Sequence, residues 1–495
     1  MESCSAQSSS PAFFVTVGRG LENFAADEIR AKLLASRVEV IEGKVFFCAD
    51  VTKENLFSLK MVERAFVLVK KINSVRLPYH KVSGFRLLCK LALEDVRSWK
   101  AAACVWKRLH VSAEPSLSRV RQGGADMCPH AEDAPRKCKL TAFSEDISTT
   151  KDRSRNKDTL LYCAAEEEKE EEEAFQTTTV DLAQQRPPAD IFPELLKDNL
   201  SFRVSFRCSG RNGRRYNPQE LGCQLGLALT REFGWKADLR KPQLEVIAHL
   251  NNDIFIVGFP LTRVSLANRS WCRCPGLRPT VAHAIAVLAG VQSGAKVLDP
   301  MCGSGTILLE ATMEWKSAYY MGADIDCSQL SSASSNISSS KQSIDLIQAS
   351  VLALPLQSSS VDVIVCDMPF GRRFGRGNDI MSQTRSSLRE MIRVLANSGI
   401  LVLLVSQKMS QEVIKMVEEG KCCQYKTQIN SAPVDEAKLP GHARECEPDE
   451  RACGEDSSST VAVLSLQELV PVSLGETEAR IHKYVKVRHE GKRTS

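Results

Sequence analysis

No run of about eighteen apolar residues occurs anywhere in this 495-residue chain, so no segment reads as a membrane-spanning helix. The Ser-rich N-terminus lacks the basic-then-apolar order of a secretory leader, which removes the expectation of an oxidising compartment. Cysteine is plentiful at eighteen, but no Cys-x-x-Cys pair is present. The close pairs Cys272–Cys274 and Cys422–Cys423 match no zinc-ribbon spacing, so no metal site is expected and free thiols are. Nucleus and cytosol both suit such a chain, and no strong basic localisation cluster decides between them. Excess charge of one sign is also missing: 65 basic against 60 acidic residues leave +5. That balance hides the acidic run Glu166–Glu173, and the rest of the chain is correspondingly more basic.

Length allows about three domains. Phe13–Val17 reads as a strand, followed by a helix with Leu21, Phe24, Ala25, Ile29 and Leu33 at helical spacing. Strands at Val38–Ile41 and Lys44–Phe47, a helix near Thr52–Lys60 and a strand at Ala65–Ile72 complete a β-α-β-β-α-β order, so residues 1–119 are expected to be a ferredoxin-like domain. Residues 120–188 are rich in Ser, Thr, Glu, Lys and Asp; such a segment buries too little apolar surface to order itself, and is read as an acidic disordered insert.

Pattern returns in 189–270, with strands in FRVSFRCSG, LEVIAHL and DIFIVGFPL, a polar RNGRRYNP loop and a helix over Gln219–Phe233. Between Leu200 and Glu245 stand Arg203, Arg207, Arg211, Arg214, Arg215, Arg231, Lys236, Arg240 and Lys241, against Glu220, Glu232, Asp238 and Glu245. So one-sided a run, beside Tyr216, Phe233 and Trp235, is a candidate phosphate-tracking face for nucleic acid. Ordinary solubilising surface is the alternative.

Residues 271–495 alternate strands and helices, with strands expected at Lys296–Asp299, Tyr319–Ile325, Asp345–Ala349, Val361–Asp367 and Gly399–Ser406. A terminal hairpin follows at Leu469–Leu474 and Arg480–Val487, after a polar insert over about 430–460. Six parallel strands and one antiparallel strand make the seven-stranded α/β sheet of class I methyltransferases.

Within it, KVLDPMCGSGTILLE (Lys296–Glu310) is a strand, a glycine loop and a helix, the opening of a doubly wound domain. Gly303 and Gly305 let the backbone approach a ligand; Asp299 ends the strand and is placed to orient an ammonium, and Pro300, Cys302 and Thr306 complete the candidate cofactor-binding loop. Asp324 ends the next strand, where a carboxylate can accept both hydroxyls of a ribose. The third glycine of Gly-x-Gly-x-x-Gly is absent, Leu308 standing there, which weighs against a nicotinamide-dependent oxidoreductase. Arg278 and Thr280 either line the same pocket or serve the start of a helix at Pro279.

The second motif, CDMPFG at Cys366–Gly371, places Asp367, Pro369 and Phe370 after a buried strand. Asp-x-Pro-Phe there resembles the substrate loop of methyltransferases acting on base amino groups, which implies S-adenosylmethionine as donor. Asp367 and a carbonyl of Met368 or Pro369 can accept the two amine hydrogens, and Phe370 offers a surface for an unstacked base. Gly371, Arg372, Arg373 and Arg376 continue that loop and are candidate holders of flanking phosphates.

With VGRGLENFAADEI, EGKVFF, FRVSFRCSGRNGRRYNPQELG, GWKADLRKPQLEV, IVGFPLTRVSLANRSW, GLRPTVAHAIA and GADID added to these motifs, the chain resembles the THUMP-domain guanosine-N2 RNA methyltransferases over nearly its whole length outside the polar inserts. The resemblance implies a ferredoxin-like plus THUMP module (189–270) that grips RNA, a catalytic domain, and a small zinc-containing activator subunit as partner. It implies a nuclear enzyme, with cytosol also open, acting on a spliceosomal small nuclear RNA or else a tRNA. Two departures stand out. Ser350 replaces the acidic residue that contacts adenine in relatives, leaving that task to backbone near Val351, and Met368 replaces the first proline of the Pro-Pro form. A catalytically dead RNA binder is the main rival reading, and it should have lost Asp367 or the glycine loop.

Overall fold

Two sheets carry the fold in this computed structural model, which describes residues 12–111, 200–369, 378–419, 461–475 and 477–489. Both belong to one body formed by residues 1–112 and 201–495; residues 113–200 form a separate unit, nearly all of it outside the described residues. The expected inserts at 120–188 and 430–460 therefore also lie outside them.

The first sheet starts from β1 (Ala12–Val17), β2 (Ser36–Ile41), β3 (Lys44–Cys48) and β4 (Val62–Asn73), with helices Glu22–Leu33 and Lys53–Phe57 following β1 and β3. The short second helix begins at a capping box in which Thr52 and Asn55 bond each other's backbone amides. Every pairing among these strands is antiparallel, in the spatial order β2-β3-β1-β4. Phe14, Phe46 and Phe66 stand in register on one face and stack, with ring centroids 5.6 and 4.5 Å apart. The expected β-α-β-β-α-β order is present.

The sheet then continues. At twelve residues, β4 outruns its pairing with β1, and β8 (Ile254–Pro260) pairs along it antiparallel from Phe66 to Asn73. β7 (Leu244–Leu250), β5 (Ser201–Cys208) and β6 (Lys236–Ala237) follow, giving eight strands in the order β2-β3-β1-β4-β8-β7-β5-β6. The two N-terminal stretches thus share one hydrogen-bonded sheet. One local expectation is corrected: the polar stretch after β5 is not all loop but includes the helix Gly210–Arg215. It has no apolar stripe to reveal it. Its start is held by bonds from the Arg211 amide to Asn252 Oδ1 (2.6 Å) and from Asn212 Nδ2 to the Asn251 carbonyl (2.6 Å).

The second sheet comprises β9 (Lys296–Asp299), β10 (Tyr319–Asp324), β11 (Asp345–Gln348), β12 (Val361–Asp367), β13 (Leu395–Ser406), β14 (Val461–Ser473) and β15 (Glu478–His489), in the order β11-β10-β9-β12-β13-β15-β14. β9 to β13 pair in parallel, while β15 runs antiparallel to both neighbours, as the class I α/β sheet requires. The continuous apolar run Val363–Cys366, buried at every position, reflects a strand covered on both faces. Leu298, Ile364, Leu388, Leu401, Leu403 and Tyr484 lie in the core between sheet and helices. Strand order reverses between β10 and β12 on either side of β9, so the crevice beyond the carboxyl ends of these three strands is where a ligand belongs.

Candidate active site

Each of those three strands ends in an aspartate. Asp299 closes β9, Asp324 closes β10 and Asp367 closes β12. Asp299 is 1 % exposed, and burial holds its carboxyl well above the ordinary range, helped by the negative charges of Asp367 and Asp324. Its Oδ1 accepts the Met301 amide at 3.2 Å. Burial also pushes Asp367 up to about 7, and its Oδ1 is buried without a hydrogen-bond partner. An orphaned carboxylate oxygen is costly unless a ligand satisfies it. The Cys366 and Cys302 thiols are buried behind these groups and held well above their usual range by burial, so they are packing groups rather than nucleophiles.

Asp324 is bonded differently. Its Oδ2 accepts the Gly303 amide at 2.9 Å and its Oδ1 the Asp326 amide at 2.9 Å. It thus tethers the glycine loop while keeping lone pairs for further donors. That loop is folded tightly: the Cys302 amide bonds the Ala323 carbonyl at 2.9 Å, and the Gly305 amide bonds the Cys302 carbonyl at 2.8 Å. Gly303 and Gly305 adopt φ of 51° and 76°, which explains glycine at both positions. The helix Thr306–Glu314 begins directly after, with Pro300 and Thr306 buried. Three convergent carboxylates suit a cationic ligand, and a loop open at two glycines suits one that presses on backbone. Ser350 and Val351 follow β11 half-buried, beside Asp324, whose carbonyl accepts the Ala349 amide at 3.1 Å. The Ser350 hydroxyl accepts the Leu352 amide at 3.2 Å. Met368 is buried and Pro369 half-buried, whereas Phe370, Arg372, Arg373 and Arg376 lie outside the described residues.

Arg278 does not join this cluster. Its guanidinium pairs with Glu63 of β4, Nε to Oε1 at 2.7 Å, and makes no side-chain cap on the helix Pro279–Ala289 that it precedes. A long cation beside a half-buried carboxylate goes to that carboxylate rather than to the crevice. Proline does occupy the first helical turn, and Thr280 is fully buried with an unpartnered Oγ1.

What sequence reasoning missed is the clamp around the loop. Asn336, fully buried in the helix Cys327–Ser340, accepts the amides of Arg273 (2.8 Å) and Cys274 (2.9 Å) and donates to the carbonyls of Cys274 (3.1 Å) and Ser304 (3.0 Å). Asparagine inside a helix is disfavoured, and that was the available signal. The 273–276 segment presses on the loop so closely that a Cβ at Gly276 would lie 2.0 Å from Ser304 Oγ. Farther along, Arg269 bonds Glu310 (Nε to Oε1, 2.7 Å) and the Lys60 carbonyl (2.8 Å), joining the first sheet's module to the helix behind the loop.

The expected basic face separates into parts. Arg211, Arg214 and Arg215 share the helix at the end of β5, and Arg207 is exposed near it. Lys236 pairs with Ser201 at the start of β5, so Lys236, Arg240 and Lys241 lie about 20 Å away at the other end of the strand. Tyr216 and Trp235 are 2 % and 1 % exposed, so they belong to the core and not to a stacking surface.

A sequence family described as an RMKL-like methyltransferase domain matches residues 269–430. The chain is 37 % identical, over 97 % of its own length and 97 % of the relative's, to the U6 snRNA (guanine-N(2))-methyltransferase THUMPD2 of Bos taurus. It is 29 % identical, over 79 % of its length and 80 % of the relative's, to the tRNA (guanine(6)-N(2))-methyltransferase THUMP3 of the same species. Among solved structures, TrmN from Thermus thermophilus has the same fold, with a TM-score of 0.57 at 18 % identity covering 96 % of this chain and 99 % of that one. With 37 % identity to the snRNA methyltransferase over almost its whole length, the chain belongs to the THUMP-domain family of S-adenosylmethionine-dependent guanine-N2 RNA methyltransferases.

Proposed function

We propose that this enzyme methylates the exocyclic N2 of a guanine in U6 small nuclear RNA. The observation that carries the chemistry is Asp367, with a buried oxygen that lacks any partner, at the end of β12 in the CDMPFG motif. An exocyclic amine is a poor nucleophile because its lone pair is delocalised into the ring. Asp367 and the Met368 or Pro369 carbonyl accept its two hydrogens, which aims the lone pair and favours its localisation on nitrogen. Asp367 then serves as the proton acceptor. Asp299 faces the donor's ammonium, Asp324 its ribose, and the backbone beside Ser350 and Val351 its adenine. S-adenosylmethionine supplies an electrophilic methyl group on a sulfonium centre.

Arg207, Arg211, Arg214 and Arg215 hold the RNA backbone. The RNA substrate is supported by the 37 % identical relative, whose name gives U6 snRNA. A tRNA is the second reading, supported by the more distant relative. The proposal also includes a small zinc-containing activator subunit as partner and residence in the nucleus, both taken from the resemblance to the family. The purified chain, co-expressed with the activator, should place N2-methylguanosine in a U6 transcript when the digested nucleosides are read by mass spectrometry. Methylation of tRNA alone would transfer the assignment to the second reading.

Donor binding can be tested separately. Asp324→Ala should weaken S-adenosylmethionine binding by about 1–3 kcal/mol, the usual loss for a charge-assisted hydrogen bond. Asp324→Asn keeps an acceptor for the Gly303 amide and should lose less. Calorimetric titration that finds wild-type affinity in the alanine variant would remove Asp324 from the donor site.

A further inference from the structure

The loop between β4 and the helix Lys81–Leu93 carries Tyr79 with its side chain 95 % exposed. Single exposed aromatics are ordinary on protein surfaces. Three features set this one apart.

Its backbone is pinned at two points just before it. Val75 is buried and its amide donates to the Asp253 carbonyl at 2.9 Å. The Pro78 carbonyl, adjacent to Tyr79, accepts the Tyr216 hydroxyl at 3.2 Å and a guanidinium hydrogen of Arg215. Tyr216 is itself packed hard, since a Cβ on Gly84 would lie 2.3 Å from its oxygen. The ring is thus presented from a rigid base, and little order remains to be imposed when something binds it.

A cation backs the ring. The Arg215 guanidinium carbon lies 5.0 Å from the Tyr79 centroid and 5.3 Å from that of Tyr216. This arginine is half-buried, so its contact leaves most of the Tyr79 ring in water.

The surroundings favour an anion. From Ser74 to Leu93 the sequence has no Asp or Glu, while Arg76 and Lys81 flank Tyr79 and are exposed. The helix Gly210–Arg215 adds exposed Arg211 and Arg214, with Asp253 the carboxylate beside Arg211 at 3.7 Å. A flat ring amid guanidinium groups matches a nucleotide, whose base stacks while its phosphates meet the charges.

We propose that Tyr79, backed by Arg215, is a stacking platform for an unpaired base of the RNA substrate, which rests on the reading of this chain as an RNA methyltransferase. A paired base would not expose its face, so the platform selects a single-stranded or looped stretch lying beside the phosphates held by Arg211 and Arg214.

Fluorescence anisotropy with a labelled U6 transcript across a salt series tests this on the full chain. Tyr79→Ala should weaken binding about ten-fold, in the range of one lost base stack, with an unchanged salt slope. Tyr79→Phe should bind as the wild type does. The Arg211→Ala, Arg214→Ala double variant should instead lower the slope by about one to two. Wild-type affinity in Tyr79→Ala, with the arginine variant weakened, overturns the platform and leaves RNA binding standing. A changed slope in Tyr79→Ala would show that the ring acts only by holding Arg215, and also overturns it. Wild-type binding in all three variants defeats both the platform and this RNA face. A ring so exposed contributes little to stability, and equal melting temperatures for Tyr79→Ala and wild type should accompany the result.

Discussion

Asp367→Ala is expected to lower single-turnover methylation by roughly 10²–10³-fold, the loss typical for one preorganised polar group at a reacting centre. S-adenosylmethionine and RNA affinities should change little, because the interaction strengthens only as the amine becomes a nucleophile. Asp367→Asn should be milder, since an amide oxygen still accepts one hydrogen bond but cannot take the proton. The pH dependence separates this from a structural role. Burial raises Asp367 to about 7, so in the donor-free enzyme it is neutral below that pH and a carboxylate above it. The kcat/KM for the donor should therefore rise with pH through about 7, and the asparagine variant should lose that limb. Stability must run the other way. A carboxyl raised in the folded state favours folding only while protonated, so its contribution is lost as pH climbs from the unfolded value toward 7. Asp367→Asn should thus melt higher than wild type at pH 8, while methylating more slowly. Full activity in Asp367→Ala, or a product methylated on ribose or ring carbon, would overturn the mechanism.

That contrast explains why the site could be read from the chain. Asp299, Asp324 and Asp367 each end an apolar strand, and Gly303 and Gly305 sit in a loop whose φ values favour glycine, so local pattern encodes both chemistry and position. The crossover order then brings the three strand ends together. The basic segment was less transparent, because charge counts do not say which face a side chain takes. Tyr216 and Trp235 stand beside arginines in sequence, yet both pack in the core. β14 was expected to start at Leu469 but begins at Val461. A register shift between Leu466 and Glu468 breaks its alternation, and Pro471 is tolerated because this is an edge strand. Least legible was the clamp: Arg278 and Glu63 are 215 positions apart and Asn336 and Ser304 are 32 apart, and such pairs leave no periodic trace.

The pairing of Arg269 with Glu310 belongs to that hidden group, and removing it should have the largest effect on stability. Their side chains are 6 % and 0 % exposed. Burial alone would raise the Glu310 carboxyl, but His283 and Arg269 hold it below its ordinary range, so it is charged when folded. Besides two contacts to Glu310, the Arg269 guanidinium satisfies the carbonyls of Lys60 and Leu266. Arg269→Ala leaves the buried carboxylate with only His283 beside it and takes the guanidinium from two carbonyls at once. Breaking such a pair from one side costs about 3–5 kcal/mol, which in a body of this size lowers Tm by on the order of 10 °C. Replacing both partners, as Arg269→Met with Glu310→Leu, should recover much of that loss because no charge is left unpaired. Arg269 also ties Lys60 of the first sheet's module to the helix behind the glycine loop, and the double variant isolates that second role. If the tie fixes the RNA relative to the methyl donor, the double variant should regain Tm and donor affinity yet keep a lowered methylation rate at saturating RNA. Recovery of rate together with stability would mean that the ion pair only holds the fold, and that the linker clamp at Asn336 suffices to align the two modules.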